Sequence, residues 1–165
     1  MIDLWTIACV IFLGASLTAS AVIDLRTGYL PDQLQILITV VGIGVLIIGS
    51  PIGVTWGSAA AGAIGGGVFF AAIRWLLSIV KGREAMGLGD VKLFAVGGLW
   101  LGPWALPIVM VIAGLTTLVG VGVMTVIREK TNLQKEIPFG PGLAAGIFVS
   151  FVSAAVNVRL FSVTL

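Results

Sequence analysis

Histidine is absent from the 165-residue sequence and cysteine occurs once. Without histidine there is no HExxH zinc site and no His-assisted serine or cysteine nucleophile. The lone Cys9 lies inside an apolar run, so there is no disulfide framework, CxxC pair or Cys-rich metal site. It reads as a small apolar helix residue. Charge is scarce too: 10% of residues are Asp, Glu, Lys or Arg, against roughly 25% in a soluble domain. No P-loop and no GxGxxG leading into a helix occurs, so nucleotide-driven chemistry has no support. Any chemistry must run on carboxylates, Lys or Arg, hydroxyls, Tyr29 or the backbone.

What is present is hydrocarbon. Hydrophobic residues make up 59% of the chain and the mean hydropathy is +1.19. A bilayer core of about 30 Å needs roughly 20 apolar residues in helix. Six runs qualify as spans: Leu4–Ile23, Leu34–Ile48, Trp56–Val80, Val91–Leu101, Trp104–Ile127 and Gly140–Leu160. The fourth is short unless Met86–Asp90 joins it, which brings Asp90 into the membrane. The runs are continuous, without the alternation of barrel strands. The expected fold is therefore all-α, an integral membrane bundle of six transmembrane helices, one domain over residues 1–165. Gly62 and Gly66 form a GxxxG that predicts close helix contact and permits a homo-oligomer.

Six spans place the segments near 24–33, 81–90 and 128–139 on one side. Arg26, Arg74, Lys81, Arg83, Lys92, Arg128, Lys130 and Lys135 gather there, with Arg159 alone on the other. By the positive-inside rule that side faces the cytoplasm and both termini face outward. Thr18-Ala19-Ser20-Ala21 resembles a signal cleavage site, but the N-terminus has no basic residue, so the first helix is expected to stay.

Among the carboxylates, Asp3 and Glu129 read as helix-end charges and Glu136 as a solvated one. Asp24 and Asp90 differ. Asp24 follows Ala21-Val22-Ile23 at the end of the first run, and Asp90 opens the short fourth helix in Gly87-Leu88-Gly89-Asp90-Val91-Lys92. An Asp in a bilayer helix costs roughly 2.5–3.5 kcal/mol at mid-depth, so its retention points to function. Both fall on the cytoplasmic side, where they could face each other. Two such carboxyls can share one proton and run aspartyl-protease chemistry without histidine, metal or nucleotide. The alternative is that Asp24 pairs with Arg26 and Asp90 with Lys92.

Three segments resemble one known family, the type IV prepilin peptidases. Asp24-Leu25-Arg26-Thr27-Gly28-Tyr29-Leu30-Pro31-Asp32 is similar to their D-x6-PD segment, and Gly87-Leu88-Gly89-Asp90-Val91-Lys92-Leu93 to their GxGDxKL motif. Ile137-Pro138-Phe139-Gly140-Pro141-Gly142-Leu143-Ala144-Ala145-Gly146 is similar to their late PFGP-x-LAxG segment. The resemblance, in the right order over nearly the whole chain, implies a GxGD-type membrane aspartyl protease. Its substrates would be prepilins or pseudopilins, cleaved after a glycine that ends a short basic leader. It implies Asp24 and Asp90 as the catalytic pair and Asp32 as a cap of the second helix. Larger members carry paired CxxC motifs ahead of the catalytic part. This sequence has none, so the expectation is cleavage without methylation of the new amine by S-adenosylmethionine.

The remaining motif and substrate-binding candidates are Gly87, Gly89, Lys92, Glu84, Asp32, Pro138, Phe139, Gly140 and Pro141. Gly87 and Gly89 let the backbone bend and approach closely. Lys92 is expected to favour the ionised form of Asp90 or to snorkel to lipid phosphates, and Glu84 to meet the basic leader or stay solvated. The Pro138–Pro141 segment either offers free backbone groups to an extended substrate or simply starts a rigid helix. Membrane lipids are expected partners; no cofactor, metal or nucleic acid is. Two other readings share these residues, a proton-coupled carrier and a non-catalytic subunit of a pilus or secretion machine.

Overall fold

A computed structural model describes residues 3–81, 87–127 and 139–163. Glu84, Glu129, Glu136 and Pro138 lie outside them. The described residues form six α-helices: α1 Leu4–Thr27, α2 Asp32–Ile48, α3 Trp56–Lys81, α4 Leu88–Leu101, α5 Leu106–Ile127 and α6 Gly140–Val163. A single 3-10 turn, Pro103–Ala105, leads into α5, and no strand occurs among the described residues.

Four helices are long and apolar enough to cross a membrane, over Leu4–Thr27, Trp56–Val80, Pro103–Val123 and Gly140–Asn157. The α2 helix has 17 residues and α4 has 14, so at 1.5 Å per residue α4 covers only about 21 Å. The chain is an all-α membrane protein. Large aliphatic and aromatic side chains cover its exterior, including Trp104, Val80, Ile47 and Ile48. In water such a surface would aggregate; in lipid it is solvated.

The short α4 sits centrally, packed against α2, α3 and α6, while α6 also holds α1 and α5. Lipid is as apolar as leucine, so the helices are held by close packing and hydrogen bonds rather than by escape from water. Phe94 of α4 stacks on Phe70 of α3 at 4.0 Å between ring centroids. The Trp100 indole donates 3.1 Å to the Ile38 carbonyl of α2 and meets Phe151 of α6 edge-on. The Trp5 indole donates 3.0 Å to the Gly49 carbonyl, tying the start of α1 to the end of α2. The GxxxG of α3 works inside the chain: a Cβ on Gly62 would strike the Gly98 carbonyl of α4, and one on Gly66 would crowd Phe94 and Leu106. Cys9 is a buried core residue, as its apolar surroundings suggest.

Two of the boundaries that differ from the apolar runs bear on the site. The first helix does not stop at Asp24 but continues to Thr27. Its end is set by Gly28, which takes the left-handed conformation (φ 67°) and donates its N–H to the Asp24 carbonyl at 2.7 Å. A left-handed glycine terminates a helix, whereas a charge alone does not. The fourth helix begins at Leu88 instead of Met86.

Candidate active site

Helical periodicity turns both aspartates inward. The buried residues of α1 are Thr6, Cys9, Leu13, Ser16, Leu17, Ser20 and Asp24. Steps of three and four residues trace one face of a 3.6-residue helix, and Asp24 is the last member of that face. In α4 the buried stripe starts with Asp90 and runs through Leu93, Phe94, Gly97 and Leu101. Only 7% of Asp24 and 9% of Asp90 is exposed. Leu30 borders the surroundings of both: it packs against Gly89, next to Asp90, and beside Gly140, which touches Asp24.

The same periodicity separates each aspartate from the base two positions on. Two residues on a helix are about 200° apart, so Arg26 and Lys92 point outward and are exposed or half-exposed. Lys92 Nζ instead lies 2.7 Å from Asp32 Oδ1 of α2. Local Asp90–Lys92 pairing is thereby corrected. The capping role expected of Asp32 is corrected as well: the N-cap of α2 is Pro31, no side chain caps the helix, and Asp32 stands inside its first turn.

The three motif segments meet around Asp24 and Leu30. Leu30 follows the left-handed turn and is 4% exposed. It lies against Gly89, where a Cβ would come within 2.8 Å of Leu30 Cβ. It also borders Gly140, where a Cβ would sit 3.3 Å from Leu30 Cδ1 and 2.5 Å from Asp24 Oδ2. Glycine at 89 and at 140 is thus a matter of room. The Gly140 N–H approaches the Asp24 carboxyl group, while Asp24 Oδ2 is buried without a hydrogen-bond partner. Gly140 and Pro141 open α6, and the Phe139 carbonyl accepts from Leu143 N–H at 3.1 Å. The Phe139 ring lies 6.4 Å from that of Phe70. Gly87 is the extended N-cap of α4, where its ideal Cβ position would be 3.8 Å from Asp90 Oδ2.

One buried polar residue at the site went unremarked in the sequence. Gln35, 3% exposed, donates from Nε2 to the Gly89 carbonyl at 3.1 Å. Its signal was there: an amide inside the apolar run Leu34–Ile48 must find a partner or incur a desolvation cost.

Residues 11–122 match the model of the type IV leader peptidase family. The chain belongs to that family. A prepilin leader peptidase/N-methyltransferase of Burkholderia pseudomallei (strain 1026b) is 40% identical over 134 residues, 81% of this chain and 42% of that protein. A protein of the same name from Aeromonas hydrophila is 35% identical over 150 residues, 90% of this chain and 50% of its own length. A type 4 prepilin-like proteins leader peptide-processing enzyme of Escherichia coli O78:H11 is 40% identical over 150 residues, 86% of this chain and 50% of that enzyme. The chain of this leader peptidase family member spans about half the length of the curated relatives it matches. No solved structure matches it.

Proposed function

We propose that this chain is an aspartic endopeptidase that removes the short basic leader from type IV prepilins or pseudopilins. On this reading it cuts after a glycine at the cytoplasmic face of the cell membrane, with both termini outside and Asp24 and Asp90 activating water. What supports the reading is two buried aspartates from different helices, Asp24 and Asp90, gathered about Leu30 by Gly140 and Gly89, in a member of a leader peptidase family. A carrier would place its carboxylates near mid-membrane between repeats; here both stand within a turn of a helix end.

Two carboxyls in one dry site cannot both ionise cheaply, so the pair works with one proton between them. The ionised carboxylate takes a proton from water as its oxygen adds to the scissile carbonyl carbon, and the protonated partner gives its proton to the carbonyl oxygen. The tetrahedral diol then collapses. The carboxyl that took the water proton passes it to the departing amine, and the other recovers a proton from a diol hydroxyl as the carbonyl re-forms. The C–N bond is broken, water is divided between the products, and the pair returns to its starting state. Methyl transfer is not assigned to any residue of this chain.

The test is cleavage, in detergent or liposomes, of a membrane peptide with a basic leader ending in glycine. Asp24→Asn and Asp90→Asn should each be folded and at least about 10³-fold slower, the scale of losing one member of an acid–base pair. An active Asp24→Asn removes Asp24 from the mechanism. A wild-type chain that cleaves no such peptide in any lipid brings the carrier and scaffold readings forward.

A further inference from the structure

We infer that Gln35 is a positioning residue for Asp90, acting through the peptide bond that joins Gly89 to it. The inference rests on the aspartyl reading above and adds a residue from a third helix. The Gly89 carbonyl belongs to the same planar unit as the Asp90 N–H. The orientation of that plane fixes φ of Asp90, and with it the direction in which its Cα–Cβ bond leaves the helix. Gln35 Nε2 holds the carbonyl from α2 at 3.1 Å. Leu30 packs against the bare Cα of Gly89. The peptide is thus held by residues from outside α4, and Gly89 itself offers no side chain to hold it.

The grip has a feature that packing alone does not explain. Gln35 Oε1 is buried without a hydrogen-bond partner. A leucine of similar volume would remove that orphan acceptor and serve stability at least as well. An amide kept in a dry site with half its hydrogen-bonding capacity unused is what precise orientation of a neighbour requires. The Lys92–Asp32 pair adds a further tie between α2 and α4, on the face of α4 away from Asp90; it secures the helices but does not touch the Gly89 peptide.

Gln35→Leu tests this directly. The expected result is kcat about tenfold lower, KM within about twofold of wild type, and a thermal unfolding midpoint no lower than wild type. Gln35→Glu supplies a readout that a merely structural role leaves flat. A protonated glutamic acid can donate to the Gly89 carbonyl; a glutamate cannot. Its rate relative to wild type at each pH should climb as pH falls through the range where a buried glutamate gains its proton. Asp24 and Arg26 of α1, Asp32 of α2, and Asp90 and Lys92 of α4 are the charged groups on the packed elements, and the ratio to wild type divides out their own titration.

A wild-type kcat in Gln35→Leu overturns the inference. So does a parallel loss of kcat and melting temperature together with a pH-independent Gln35→Glu ratio. If Gln35→Leu does not fold, the Gln35→Glu ratio decides alone. Asp90→Asn, measured alongside, separates the two claims. If it is active, the aspartyl reading fails; if it is inactive while Gln35→Leu is normal, only the positioning role fails.

Discussion

Gly140→Ala should all but silence cleavage while leaving the helices intact, and its size can be worked from the packing. An alanine Cβ at position 140 would lie 2.5 Å from Asp24 Oδ2 and 2.9 Å from Asp24 Cγ. Nonbonded carbon and oxygen rest at about 3.3–3.6 Å, so about 1 Å of separation must be found. Asp24 is 7% exposed and on the inward face of α1, with Leu30 beside it, so its side chain has little free space into which to swing. Either the carboxyl turns or α6 retreats, and both move Asp24 relative to Asp90. A displacement near 1 Å costs about 10²-fold in a positioned catalytic group, about 2.7 kcal/mol of barrier. Overpacking should add about 1–3 kcal/mol of destabilisation. The assay is kcat for the leader-bearing peptide in detergent or liposomes beside a thermal melt. Gly114→Ala is the matched control, since its Cβ would meet nothing within 4 Å; it should keep full activity and gain about 0.5–1 kcal/mol from the helix-interior replacement. A folded Gly140→Ala enzyme with wild-type kcat would refute the argument that Asp24 works from this one position.

Two further substitutions probe stability away from the site. Trp100→Phe removes the indole bond to the Ile38 carbonyl and should cost about 1–3 kcal/mol by leaving a buried acceptor short. Trp100 is ten residues beyond Asp90 on the same helix, about 15 Å along it, so kcat should hold while the melting temperature falls. Ser150→Ala takes away a buried hydroxyl with no partner and should be neutral or raise stability by up to about 1 kcal/mol, read from the same melts.

Apolar length and motif spacing made the architecture legible before any coordinates. Six uninterrupted runs became six helices because nothing but a helix satisfies its backbone in lipid over such lengths. The errors fell where a run's edge was read from charge: Asp24, Leu25 and Arg26 belong to α1, and Gly28 ends it. The inward aim of Asp24 was also readable, since Thr6, Cys9, Leu13, Leu17 and Ser20 repeat at helical spacing up to it. Helical phase likewise carried half of the Lys92 result, by turning it away from Asp90. Which residue waits on the other side was not readable, because spacing within one helix says nothing of the rotation of its neighbour. Asp32 could therefore be taken for a cap, and Gln35, whose partner is 54 positions away, passed as one more residue of an apolar run. Leu30 escaped for the same reason: a leucine earns no notice until two glycines from distant segments are seen to leave room for it.

The length of α1 bears on how substrate reaches this site. Asp24 lies twenty residues beyond Leu4, about 30 Å along the helix and the full depth of a roughly 30 Å slab, so with the start of α1 at one interface the proposed pair stands at the other. It stands there among helices whose outer faces are hydrocarbon. The proposed substrate, anchored in the same bilayer, would arrive by diffusing in the plane of the membrane, already at the correct depth and already oriented. Encounter then depends on the number of substrate molecules per unit area of lipid, not per volume of water. On the proposed reading, adding bare lipid to a reconstituted mixture should slow cleavage even though no bulk concentration changes, and the apparent KM belongs on a scale of surface density.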